Sequence, residues 1–381
     1  MYKYITIQLF KMSYTSISIS NVVQDEENDI LRFTLSNINV SFANSLRRII
    51  LSEIPINVIR TETEEVNQCK ITANTGRLHN EIVKQRLSCI PIHLTDLDLL
   101  PEKYELEVKA ENTTENVIYI TTDDFRIRNK TNGNYLTKDQ TREIFPPNRR
   151  TNQYIDFIRL RSKIGDNIPG EKLELTADFS VSTARVNSMF NVVSICSYSN
   201  THDLAKIAEK WEEHKEKLVE TGDDDIEFHR RNFHILDAQR FYIANSFDYV
   251  IQTLGIYTNT EIVKKGCEVL VAKFHKLTEE IDANILMIVN TNTTIDNCVD
   301  VVLENEDYTV GKALEFVLYD KYFIGEKTVT FCGFKKFHPH DTKSVVRLAF
   351  AKPMERNEIL ALLKDSATEC VKVFEAINGL F

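Results

Sequence analysis

Between Leu31 and Pro55 the hydrophobic period of the chain changes once. Leu31, Phe33 and Leu35 alternate with Arg32, Thr34 and Ser36, the pattern of a strand with one buried face. Beyond them Phe42, Leu46, Ile49, Ile50 and Ile54 fall at helical spacing, so one apolar stripe runs along a helix. Ser41 is of N-cap type, because its hydroxyl can accept from a first-turn amide. Pro55 ends the helix by disfavouring the α conformation at Ile54. Arg47 and Arg48 are adjacent, so they project about 100° apart and cannot both lie in the stripe.

The pattern returns without a gap 268 positions later. Val299, Val301 and Leu303 take the places of Leu31, Phe33 and Leu35. Thr309 takes that of Ser41, and Leu314, Val317 and Leu318 those of Leu46, Ile49 and Ile50. A second coincidence follows. Val263, Cys267, Leu270, Phe274 and Leu277 step by 4, 3, 4, 3, and so do Leu363, Ala367, Cys370, Phe374 and Ile377. Each half therefore opens with a strand and helix and closes with a long helix of matching stripe, which reads as two related modules. Two unrelated strand-helix units of similar amphipathicity are the other reading.

The intervening segments set the expected domains. Residues 14–94 open the first. They include a short amphipathic helix carrying Leu78, Ile82 and Leu87, in which His79 and Glu81 read as solvated positions. From 95 to 180, strand-like runs such as 104–108 and 116–121 are separated by Asn, Thr, Asp and Gly turns, and Leu173, Leu175, Ala177 and Phe179 alternate. This predicts a mostly-β domain, inserted into the first because no linker flanks it. Residues 181–277 complete the first domain with a charged helix, an acidic loop, a strand and a long helix in which Thr258 and Glu261 have capping-box spacing. Asp223, Asp224 and Asp225 invite a metal, but a magnesium site needs only one or two placed carboxylates plus substrate phosphates, so a run reads as solvated. Residues 278–294 form the linker, with 285–289 a candidate strand, and 295–381 form the second domain. Residues 1–13 read as an N-terminal extension, with Met12 an alternative start.

Composition excludes several classes. A chain of 381 residues, 43% hydrophobic and 27% charged, suits two or three globular domains with a sizeable core. No run approaches the ~20 apolar residues of a membrane span, and the opening residues lack the cleavage site of a signal peptide. The seven cysteines include no two within four residues, which excludes C-x-x-C metal frameworks and reads as reduced, mostly buried thiols. A net charge of −10 lacks the basic footprint of a nucleic-acid binder, although Lys335, Lys336 and Lys343 make a local basic patch. No phosphate-binding glycine loop, nucleophile elbow or H-E-x-x-H is present. His338 and His340, two apart around Pro339, can ligate a metal, but without a third ligand at a familiar spacing they read as a proline turn. The helix stripes are then the main lead. Four of them can bury one another, at roughly 1.5–3 kcal/mol per buried Leu, Ile or Phe.

These residues carry a family resemblance. The phrase NVSFANSLRRIILSEIP resembles the signature of the alpha-like subunits of cellular RNA polymerases: the bacterial alpha subunit's N-terminal domain, and the third-largest subunit of RNA polymerase II with its archaeal counterpart. LHNEIVKQRLSCIPI, PGEKLELTADFSV with NSMFNVVSICSY, and FDYVIQTLGIYTNTEIVKKGCEVL resemble later blocks of those subunits. ENEDYTVGKALEFVL and CGFKKFHPHDTKSVVRL are similar instead to their small partner subunit. The resemblance covers about residues 14–381, weakly at 95–165 and 200–235. Both partners in one chain imply a fused heterodimer, an arrangement resembling that of large DNA viruses with their own polymerase. An Asn-, Ile-, Lys- and Thr-rich composition fits an AT-rich viral genome.

The expected fold is therefore α+β: two related alpha-like dimerisation modules forming an intramolecular pseudo-dimer, the first with an inserted mostly-β domain. The resemblance implies a non-catalytic assembly scaffold of a DNA-directed RNA polymerase. It would nucleate the two large catalytic subunits, join further small subunits, and meet DNA only through the complex, with no membrane and no homo-oligomer. It would act in the cytoplasm or nucleus of an infected cell, or be packaged in the virion. By the same resemblance Arg47 and Arg48 would face a large subunit. The intramolecular interface would comprise Phe42, Leu46, Ile49, Ile50, Val263, Cys267, Leu270, Phe274, Val310, Leu314, Val317, Leu318, Leu363, Cys370, Phe374 and Ile377. Some members carry a cysteine-rich metal loop; without a cysteine cluster, neither metal nor cofactor is expected. A metal-dependent enzyme using His338 and His340, and a homodimeric interaction module, are the alternatives.

Overall fold

The computed structural model describes residues 17–165, 167–221, 225–291 and 294–381. The extension 1–13 with Met12, and Asp223 and Asp224 of the acidic loop, lie outside the described residues. The chain divides into two compact units.

The first unit gathers the chain up to Ile50, Ile195–Gln252 and Asn259–Phe381. It contains two four-stranded sheets of one plan. In the first the order is Ser18–Asp25, Ile30–Ser36, Tyr242–Thr253, Val193–His202; in the second it is Met287–Asn290, Cys298–Glu304, Lys343–Phe350, Val329–Lys335. Ile30–Ser36 and Cys298–Glu304 each run antiparallel to both neighbours. Each leads into a helix, Val40–Ser52 and Tyr308–Leu318. Each third strand leads into a long helix, Asn259–Asp282 and Arg356–Asn378. The bounds of the two second strands, and the first residues of the two helices after them, keep the 268-residue offset. Leu31, Phe33, Leu35, Val299, Val301 and Leu303 are all buried, as their alternation requires.

Both expected caps lie two residues too far along. Asn39 Oδ1 accepts from Ser41 N at 2.9 Å, and Asp307 Oδ1 accepts from Thr309 N at 2.8 Å. A short carboxamide or carboxylate reaches the amide two residues on, so these side chains cap, and Ser41 and Thr309 lie inside the first turn. The offset survives the correction, because Asn39 and Asp307 are themselves 268 apart. The first helix also stops at Ser52, leaving Ile54 buried beyond its end.

The two copies differ in their strand connections. In the first sheet, Val193–His202 and Tyr242–Thr253 are joined through helices Leu204–Thr221 and Ile226–Ile235, which close around Ile207, Trp211, Phe233 and Ala238. Asp225 of the acidic run caps the second of these helices, accepting from Phe228 N at 3.1 Å. In the second sheet the matching connection is the short turn 336–342.

The second unit comprises Leu51–Ser194 and Thr253–Thr258. Its main sheet has the order Cys69–Asn74, Lys172–Asp178, Tyr104–Glu111, Arg126–Asn129. Two ribbons accompany it, Ile118–Thr121 with Asp156–Leu160 and Ile56–Val58 with Ser180–Ser182. The mostly-β segment also holds a helix, Lys138–Ile144, with a capping box between Thr137 and Gln140. Leu106, Val108, Ile127, Leu173 and Leu175 share one core with Val83, Leu87, Ile90 and Ile92. The unit therefore begins well before residue 95, where the sequence suggested a boundary. The short helix Asn80–Ser88 buries Leu87 as expected, and Leu78 before it packs on the same core, but Val83 is buried where Ile82 was expected and Ile82 is 41% exposed. Among the described residues no helix is long and apolar enough to cross a membrane.

Candidate functional site

The helix stripes of the first unit end in one apolar core. Phe42, Leu46, Ile49, Ile50, Val263, Cys267, Leu270, Phe274, Val310, Leu314, Val317, Leu318, Leu363, Cys370, Phe374 and Ile377 are all at most 3% exposed. Phe374 ties three helices together: its ring centroid lies 5.6 Å from that of Phe42, edge-on, and 6.1 Å from that of Phe274, stacked. Phe42 in turn meets Phe316 edge-on at 5.8 Å. Burial pushes the thiols of Cys267 and Cys370 far above their ordinary range, so both act as small apolar side chains.

Two glycines set how closely the elements approach. A Cβ at Gly266 would lie 3.0 Å from Ile50 Cγ1 and 3.2 Å from Leu46 Cδ1, so the bare backbone lets Asn259–Asp282 press on Val40–Ser52. A Cβ at Gly311 would overlap the ring of Phe334, where even Cζ would be 2.6 Å away.

A polar contact crosses from the first copy to the second. Arg48 Nη2 donates to Asp307 Oδ2 at 2.7 Å and Arg48 Nε to Thr309 Oγ1 at 2.9 Å. Asp307 thus caps its helix with one oxygen and holds Arg48 with the other. Ser45 Oγ lies 2.6 Å from the Thr309 carbonyl oxygen and 2.7 Å from that of Ser41, so its one proton serves either acceptor. Lys273 on the long helix reaches Glu306 at 3.2 Å.

The two arginines part company here. Arg48 is turned inward and engaged within the chain. Arg47 donates to Asn44 Oδ1 from Nε and Nη2 at 3.1 and 2.9 Å, a short-range contact on its own helix. Its charge also lies close enough to Cys196 and Tyr198 to oppose the upward push that burial gives both. His338 and His340 stand exposed at the turn 336–342, ring centroids 5.1 Å apart. Asp341 Oδ2 accepts from His338 N at 3.0 Å, and His338 Nδ1 accepts from His340 N at 3.2 Å. Among the described residues no group of three or more His, Cys, Asp or Glu side chains gathers as a metal site.

Sequence reasoning missed Asn39, Ser45, Glu306, Asp307 and both glycines as contributors. The gapless repeat held a usable signal, because it sets Asn39 opposite Asp307, two residue types that share the capping role.

The fold and the buried stripes define a class: an α+β domain whose helices are built to pack on helices. The family model described as the RNA polymerase Rpb3/Rpb11 dimerisation domain matches residues 32–274. The chain belongs to this family. The matched span ends before the second sheet begins. Among relatives, a conjugation stage-specific protein of Tetrahymena thermophila is 21% identical over 294 residues, covering 66% of this chain and 91% of its own length. The DNA-directed RNA polymerases I and III subunit RPAC1 of Bos taurus is 22% identical over 308 residues, 69% of this chain and 84% of that one. The DNA-directed RNA polymerase subunit Rpo3 of Pyrococcus furiosus is 30% identical over 102 residues, 26% of this chain and 36% of that subunit.

Proposed function

We propose that this chain is a non-catalytic assembly subunit of a DNA-directed RNA polymerase and carries both halves of an alpha-like dimer. The observation that carries the reading is the repeat within the first unit: two sheets of one strand order, in which the second strands and the starts of the helices after them are offset by 268 residues, and whose four helices bury their stripes together. Family membership and the polymerase subunits among the relatives support the class of complex. On this reading the interface residues from Phe42 to Ile377 form an intramolecular pseudo-dimer, and the mostly-β unit is an insertion into its first half. The partners are the two large catalytic subunits and further small ones, with DNA met only through the complex. The fused arrangement fits a polymerase encoded by a large DNA virus, acting inside an infected cell or carried in the virion.

Arg47 is the better candidate for capturing a large subunit, since Arg48 is occupied within the chain. Arg47→Ala should leave the melting curve of the chain within about 0.5 kcal/mol of wild type, as substitutions away from buried networks do. It should weaken recovery of a large subunit by a tagged chain. Undiminished recovery would remove Arg47 from that role, and absence of both large subunits from the wild-type preparation would refute the function.

A further inference from the structure

The pairing of the two copies is lopsided. The 268-residue shift carries Asn39 onto Asp307, Ser41 onto Thr309, Ser45 onto Ala313 and Arg48 onto Phe316. If a two-fold operation related the copies, every contact would have a mate with the roles exchanged. Arg48 on Asp307 would be mated by Phe316 on Asn39, and Ser45 on Thr309 by Ala313 on Ser41. A phenyl ring and a methyl group carry no donor, so neither mate can form. Phe316 instead sets its ring against Phe42. One side of the pairing is polar and charge-assisted, and the other is aromatic.

We propose that this lopsided contact, Ser45 and Arg48 of the first copy on Asp307 and Thr309 of the second, selects unlike copies and disfavours pairing of two like copies. The inference rests on the reading of the chain as a single-chain dimer. Two first copies facing each other would set Arg48 opposite neutral Asn39 twice, so that each partly buried guanidinium loses the carboxylate that Asp307 gives it here. Two second copies would set Asp307 opposite Phe316 twice. Taking a charge out of water without its partner is unfavourable, and specificity arises from such penalties on the wrong pairing as much as from attraction in the right one. Linkage in one chain adds a high effective concentration of the right copy. The partner recognised is thus a strand-helix copy with an acidic cap and a hydroxyl two residues on.

The test uses the full chain. Asp307→Asn keeps a capping residue but removes the charge, and Arg48→Met keeps the length of the side chain. A double-mutant cycle on urea unfolding should give a coupling of about tenfold in the unfolding equilibrium, within the range of contacting residues. A purely capping Asp307 would give none. The exchange variant Asn39→Asp with Asp307→Asn moves the acid to the first copy, so that two first copies complement each other. Light scattering against concentration should show wild type at the mass of one chain and the exchange variant self-associating at least tenfold more tightly. Coupling below twofold, or an exchange variant with unchanged mass, overturns the selection. If the exchange variant fails to fold, the cycle alone decides. A wild type that is already an obligate two-chain assembly would instead overturn the single-chain reading, and the selection with it.

Discussion

Gly311→Ala separates helix propensity from packing, because the two predict opposite signs. Gly311 lies inside the helix Tyr308–Leu318, where alanine should stabilise by about 1 kcal/mol relative to glycine. The structure opposes this. The new methyl group would overlap the Phe334 ring, which is 8% exposed and packed edge-on against Tyr308 at 5.1 Å. Forcing extra volume into a packed site costs about 1–3 kcal/mol, and expelling the ring instead forfeits about 1.5–3 kcal/mol of its burial. Set against the propensity gain, the net effect is destabilisation by up to about 2 kcal/mol. Urea unfolding followed by circular dichroism measures it. The decisive step is the second background: once Phe334→Ala has removed the ring, Gly311→Ala should become stabilising by about 1 kcal/mol. A stabilising Gly311→Ala in the wild-type chain, or the same sign in both backgrounds, would refute the packing argument.

Two further outcomes follow from particular side chains. Phe374→Ala should destabilise by about 3–5 kcal/mol, the range for deleting a buried aromatic, because its ring bridges Phe42 and Phe274; a loss under 1 kcal/mol by urea titration would show that it does not join the helices. Asp123 receives Arg142 Nε at 2.8 Å and Lys138 Nζ at 2.9 Å, and chiefly the Arg142 hydrogen bond lowers its carboxyl to about 2. A lowered folded-state value means stability that is present above the unfolded value and is lost as the pH falls through the folded one. Wild type should therefore exceed Asp123→Asn in urea midpoint at pH 7 and converge with it between about pH 5 and pH 2; a gap independent of pH would contradict this.

Periodicity made the repeat legible because it reports which face of each element is buried. Strand alternation and the 4, 3, 4, 3 stripes needed no tertiary information, and the buried positions of the four helices follow them. Periodicity does not report against which core a face is buried. Val83, Leu87, Ile90 and Ile92 have the same apolar character as the dimerisation stripes, yet they pack with Leu106 and Leu173 in the second unit. That is why a boundary near residue 95 looked natural while the compact unit begins at Leu51. The caps were displaced because Asn39 and Ser41 are both capping types, and only the geometry of the carboxamide decides between them. The inward turn of Arg48 was hidden for a similar reason. A helix pattern fixes its direction on its own helix, while Asp307, 259 residues away in sequence, supplies the partner.

The stoichiometry of the native complex tests the central claim most directly. The chain, tagged at its natural locus and isolated under native conditions, should bring down both large polymerase subunits with one copy of itself per complex by quantitative mass spectrometry. Two copies per complex would contradict the single-chain dimer, and a complex without the large subunits would contradict the assembly function itself.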